Sequence, residues 1–216
     1  MIFDLAFIDF DKTIFDTVQF EDDVWKVFKK YGVSKDDYTA AYRRSLCTIS
    51  PSEFDYTFEE HVAFTREIGY DLPKEKILLE LKALLKNDYL FSDAPDFLKF
   101  LRGYCQTLIL LTAGDVPFQQ KKIDVSGVSK LFDEVKILPG KKEEYLAEVT
   151  APGQKVLFLN DSLPENLKVH RVLPQVIVIM PYNPAHSRYS LEEVEKSDFA
   201  HFATLSEVKN YVAKFK

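Results

Sequence analysis

Asp9, Asp11 and Thr13 sit together in the stretch FIDFDKTIFD, residues 7–16, directly behind the apolar run Leu5-Ala6-Phe7-Ile8. Two further apolar runs also end in polar groups: Thr107 to Leu111 ends in Thr112, and Val156 to Leu159 ends in Asn160-Asp161. A basic pair, Lys141-Lys142, lies ahead of the last of these. Carboxylates are hard oxygen ligands, and two from one loop with a third from another strand form a set suited to Mg²⁺. Without a cation, their mutual repulsion would raise a pKa or open the loop.

The elements that must position these groups are readable as short buried strands. Continuous apolar runs at 5–8, 107–111 and 156–159, joined by Val176 to Ile179 and a weaker one at 135–138, are what a parallel sheet covered on both faces requires. Helical spacing through Phe97, Leu98, Phe100 and Leu101, and again from Tyr145 to Val149, lies between them. Strands alternating with helices predict a doubly wound, Rossmann-like α/β sheet, in which ligands bind outside the carboxyl ends of the strands. The stretch from Glu21 to about Glu80 differs. Its apolar residues recur at helical spacing (Val24, Val27, Phe28, Tyr31; then Phe58, Val62, Phe64, Ile68), broken by Gly32, Gly69 and Pro73. The expected organisation is a core of residues 1–16 and 91–216 with a helical insertion, 17–90, behind the first strand.

In this arrangement the chain resembles the haloacid dehalogenase-like hydrolase superfamily. That family's first motif, D-x-D-x-T behind an apolar strand, reads Asp9-Phe10-Asp11-Lys12-Thr13; the second, an apolar strand ending in Ser or Thr, reads LILLT with Thr112. The lysine of the third is found in PGKKEEYLAEV, where Lys142 fits better than Lys141, and the fourth reads VLFLNDSLPEN. This last departs from the pattern: Asn160 stands where relatives have Gly, Asp or Glu, and Glu165 replaces the second acid. The resemblance implies a Mg²⁺-dependent phosphatase with a small helical cap, acting on a small phosphorylated metabolite. It assigns Asp9 as nucleophile forming an aspartyl-phosphate and Asp11 as acid/base. It further implies Mg²⁺ held by Asp9, Asp11 through its carbonyl, and Asp161, with Thr112 and Lys142 on the phosphoryl group. Thr13 braces the loop. A phosphomutase on the same core, and a non-catalytic relative that only binds, are the alternatives.

The remaining residues bound the partners. Apolar residues make up 46% and charged residues 29% of the 216, and no run approaches the length of a membrane span. The net charge of −6 leaves no basic field for a nucleic acid backbone. The N-terminal residues lead straight into strand-like sequence without a leader pattern, so residence in the cytoplasm is expected. Cys47 and Cys105 lack metal or disulfide spacing and read as small core residues. Within the insert, Trp25, Phe28, Tyr31, Tyr38, Tyr42, Phe54, Tyr56 and Phe58 read as core or as the lining of a substrate pocket. Arg43 and Arg44 are candidates for gripping an anionic substrate, or form an exposed helix face.

Overall fold

The first strand, β1 (Phe3–Ile8), becomes the middle of a six-stranded sheet because both of its faces are apolar. In this computed structural model, which describes residues 1–46 and 56–215, β1 pairs in parallel with β2 (Cys105–Ala113) and with β4 (Val156–Leu159). β3 (Glu134–Leu138) adds outside β2, while β5 (Ile177–Pro181) and β6 (Ala200–Phe202) add outside β4, giving the order β3-β2-β1-β4-β5-β6 with every pair parallel. Successive side chains alternate between two cores. Ala6 and Ile8 enter one, and Phe7, set between Ile109 and Phe158, enters the other. The first core is closed by α5 (Ala94–Arg102), α6 (Val116–Ser126) and α10 (Leu205–Val212), the second by α7 (Lys142–Val149), α8 (Leu163–Val172) and α9 (Leu191–Glu195). The chain leaves β1 toward β2 and β3 and returns on the other side as β4, so strand order reverses between β1 and β4, the place where such sheets open a crevice.

Between β1 and α5 lie four helices: α1 (Thr17–Lys30), α2 (Lys35–Ser45), α3 (Phe58–Glu67) and α4 (Lys74–Leu84). Three begin at side-chain caps, Asp16, Ser34 and Thr57, each accepting a backbone N–H three residues on. They pack on one another, α1 against α2 and α4, and α3 against α2 and α4. The two segments that tie them to the sheet are paired: the Asp16 N–H donates to the Tyr89 carbonyl at 2.7 Å and the Phe91 N–H to the Ile14 carbonyl at 3.0 Å, around an antiparallel bridge of Phe15 and Leu90. Among the described residues no helix is long and apolar enough to cross a membrane. Cys105 is buried, while Cys47 and Phe54 lie outside the described residues. The sixth strand is absent from the sequence reading because Ala200-His201-Phe202 is a three-residue edge without an apolar run.

His61 on α3 is fully buried at the centre of the helical block, against Phe28 at 4.4 Å between ring centres. Its Nε2 faces the Tyr38 carbonyl at 3.1 Å and its Nδ1 the Tyr56 hydroxyl at 3.0 Å, which assigns the proton to Nε2 and lets Tyr56 donate to Nδ1. Burial lowers its pKa from 6.5 to about 4, against the Tyr38 carbonyl, which favours the charged ring. The folded pKa lies below the unfolded one, so the unfolded chain takes the proton first and stability falls as pH drops from 6.5 toward 4. Urea unfolding at pH 7 and pH 5 should show the wild type losing about 2 kcal/mol more than His61→Gln, which has no ring to titrate.

Candidate active site

Asp9 is the first residue past β1, and its N–H still pairs with the Leu159 carbonyl at 2.9 Å, so its side chain leaves the sheet at the crevice between β1 and β4. The loop that follows is rigid because Phe10, Ile14 and Phe15 are all buried, and the Phe10 carbonyl accepts the N–H groups of both Ile14 and Phe15 at 3.0 Å. Lys12 takes the left-handed conformation (φ 57°) that the tight turn needs. Thr13 is thereby folded back, and its hydroxyl donates to Asp9 Oδ2 at 3.2 Å.

Across the crevice, α7 starts at Lys142, whose ammonium is buried among three oxygens: Asp9 Oδ1 at 2.6 Å, Asn160 Oδ1 at 3.0 Å and Glu165 Oε2 at 3.0 Å. Burial works to discharge this lysine, but Asp9 and Glu165 outweigh it and raise its pKa above the ordinary value. Asn160 is also enclosed. Its Nδ2 donates to Asn166 Oδ1 at 2.9 Å, and Asn166 Nδ2 returns a bond to the Asn160 carbonyl at 2.9 Å. The two irregular positions of the last motif therefore both hold Lys142. Lys141, in a left-handed turn (φ 56°), instead sends its Nζ to Glu144 at 2.8 Å.

Burial raises the Asp9 carboxyl to about 6; Lys142 opposes this, while Glu165 and Asp11 add to it. Burial and then the charge of Asp9 lift Asp161 to about 7, against the pull of Lys142, Lys12 and Arg188. Asp11 differs. Burial disfavours its charge, but Lys122 more than reverses that, and the carboxyl is held below its usual range with help from Gln119 and Thr17. Lys122 pairs with Asp11 Oδ1, Gln119 Nε2 donates to Oδ2 at 2.8 Å and the Thr17 hydroxyl to Oδ1 at 2.7 Å. Lys122 is itself buried, with its ammonium 4.6 Å from the centre of the Phe15 ring and 5.3 Å from that of Phe10. Gly114 sits against Gln119: its φ of +135° is one that L side chains rarely adopt, and a Cβ there would stand 3.2 Å from Gln119 Nε2, so any substitution is strained.

Asp9, Asp11, Thr112, Lys142 and Asp161 border one cavity of about 560 Å³, with Thr112 buried at the end of β2. Arg43 and Arg44 are not among its lining residues; Arg44 pairs with Glu67 at 2.7 Å and lies 4.1 Å over the Phe64 ring. The cations that do line it, besides Lys142 and Lys122, are Lys12, Lys141, Lys168 and Arg188. Sequence reasoning overlooked Gln119 and Lys122. No sequence signal marked them, since a glutamine and a lysine on the helix after Thr112 ordinarily face solvent. Among the described residues no three His, Cys, Asp or Glu side chains converge as a metal cage. Two carboxylates do share the crevice, Asp9 and Asp161, and both are pushed up by burial, which is the donor set that a divalent cation would relieve.

No protein-family model matches the chain, and no curated protein matches it. Solved structures do. It is similar to L-2-haloacid dehalogenase from Xanthobacter autotrophicus, with a TM-score of 0.66 and 17% identity over 100% of both chains. The chain has the haloacid dehalogenase-like fold. Other proteins of this fold span different chemistry: a candidate HAD-hydrolase, YfnB of Bacillus subtilis, bound to magnesium (TM-score 0.66, 18% identity, 98% of this chain and 99% of that one), and a candidate β-phosphoglucomutase of Thermotoga maritima (TM-score 0.68, 14% identity, 99% and 100%).

Because Lys142 is the common partner of three buried oxygens, the site should respond unequally to losing either side of the cluster. Asn160→Ala removes one acceptor and orphans Asn166, and should cost about 2 kcal/mol in urea unfolding. Lys142→Met leaves Asp9 and Glu165 without a cation and should cost more, about 3–5 kcal/mol.

Proposed function

We propose that the protein is a Mg²⁺-dependent phosphatase acting on a small phosphomonoester. The observation that carries this reading is the pair of aspartates in one loop: Asp9 buried at the strand end between Lys142 and Thr13, and Asp11 two residues on at the rim of the same cavity. Displacement of a halide from carbon needs one carboxylate and no proton donor. Phosphoryl transfer to a carboxylate needs a second acid for the departing alkoxide, and the chain supplies one. The magnesium reported with YfnB and the paired Asp9 and Asp161 carboxylates support the cofactor.

Asp9 Oδ1 is held by Lys142 and Oδ2 by Thr13, so the carboxylate is fixed for in-line attack on phosphorus. Lys142 and Thr112 line the same cavity and would face the phosphoryl oxygens, where charge gathers. Asp9, Asp161 and the Asp11 carbonyl would hold Mg²⁺, which supplies charge neutralisation and alignment of the phosphoryl group. Asp11 gives a proton to the leaving oxygen and then takes one from the water that frees Asp9. It rests as an anion on Lys122, so substrate entry has to accompany its release from that lysine and its protonation.

The test is phosphate release from p-nitrophenyl phosphate and from a panel of phosphorylated metabolites, with Mg²⁺ and with EDTA. Turnover should require Mg²⁺ and vanish in Asp9→Asn. Asp11→Asn should lower turnover of alkyl phosphates by about 10²–10⁴-fold. With p-nitrophenyl phosphate, whose leaving group needs no proton, it should give one rapid equivalent of nitrophenol followed by slow turnover, because the phosphorylated Asp9 has lost its base. Absence of turnover across the panel in folded protein would overturn the reading.

A further inference from the structure

The cavity has two unlike ends. Asp9, Thr112, Lys142 and Asp161 form the end where phosphorus would react, and the residues reaching it from α1, α2 and Tyr56 form the other. That second end is mostly rings. Tyr38 and Tyr42 stack in parallel with centres 6.3 Å apart, Tyr42 meets Tyr56 at 5.2 Å, Tyr56 meets Phe118 edge-on at 5.4 Å, and Phe118 lies 6.3 Å from Phe20. No lysine or arginine of α1, α2 or α3 lines the cavity, and Arg44 is committed to Glu67. The one charged side chain these helices contribute is Glu21. Its Oε1 accepts the Tyr42 hydroxyl at 3.1 Å, and among the described residues it has no cationic partner. Burial first, and then the Glu21 charge, raise the pKa of the Tyr38 and Tyr42 hydroxyls; burial, the neighbouring tyrosines and Glu21 do the same at Tyr56. All three rings stay neutral and electron-rich.

Phe20 and Phe118 already face the Lys122 ammonium, 5.7 and 5.9 Å from their ring centres and paired with Asp11, whereas among the described residues the rings of Tyr42 and Tyr56 carry no such cation. With the Glu21 carboxylate beside them, these two rings attract a soft cation. Tyr38 shows this attraction already, carrying the Lys35 ammonium 4.9 Å from its ring centre. We propose that the alcohol half of the substrate carries an organic ammonium group, seated against Tyr42 and Tyr56 with Glu21 as its counter-charge. This inference rests on the phosphatase reading for the phosphate end and adds the specificity of the other end.

Two esters of nearly the same shape test it: phosphocholine, and neohexyl phosphate, in which carbon replaces the nitrogen. Phosphate release is measured with Mg²⁺ on the full chain, and binding of both esters is measured by calorimetry on Asp9→Asn. Phosphocholine should be preferred about tenfold in both kcat/KM and Kd, and the preference should fall toward unity when Glu21→Gln is introduced, a change that keeps an acceptor for Tyr42. Equal treatment of the two esters, a preference that survives Glu21→Gln, or no binding of either ester would overturn the inference. If p-nitrophenyl phosphate is hydrolysed while the two esters are treated alike, the ammonium site fails and the phosphatase stands. If nothing is hydrolysed but the Kd preference and its loss in Glu21→Gln hold, the ammonium site stands and the phosphatase fails.

Discussion

A carboxylate can be kept charged inside a protein only where something offsets its charge, and for Asp9 that group is Lys142. Taking Asp9 out of water lifts its pKa to about 6, and the ammonium 2.6 Å away offsets part of this rise. A buried cation needs more than one oxygen, so Asn160 and Glu165 complete its surroundings, and Asn166 fixes Asn160 in turn. The chain of contacts thus ties the ends of β1 and β4 to the first turns of α7 and α8. Position follows from topology: β1 and β4 are neighbours at the point where strand order reverses, so their end residues share one crevice.

The two aspartates of the first loop show how little separation is needed for opposite electrostatic surroundings. Asp9 meets Lys142 at the start of α7, and Asp11 meets Lys122 and Gln119 on α6. One is raised by burial beyond what its lysine offsets, while the other is held down by Lys122, Gln119 and Thr17. Under the proposed phosphatase reading, environments that drive two acids apart in this way would divide attack from proton transfer without any change of residue type.

Much of this was legible in the sequence because it is carried by short continuous runs. The runs at 5–8, 107–111 and 156–159 are buried on both faces, and that is what makes them readable without partners. The edge strand at 200–202 lacks such a run. Lys142 could be separated from Lys141 by the apolar spacing behind it, whereas Asn160 and Glu165 looked irregular until their shared lysine was visible. Lys122 and Gln119 were illegible for a physical reason: a polar residue on a helix is ordinarily solvated, and only the three-dimensional arrival of Asp11 explains their burial. Arg43 and Arg44 show the converse, since their charge was evident and their direction was not.

The paired segments at Asp16–Tyr89 and Ile14–Phe91 mean that the helical block grows from the sheet on a single stem. A loop whose two ends are zipped together asks of its host only a place to pair, whatever lies beyond the stem. Asp9, Thr112, Lys142 and Asp161 all lie outside the insertion, so exchanging the block above the stem would leave them in register. A fold built this way can trade one recognition module for another while its reaction stays the same.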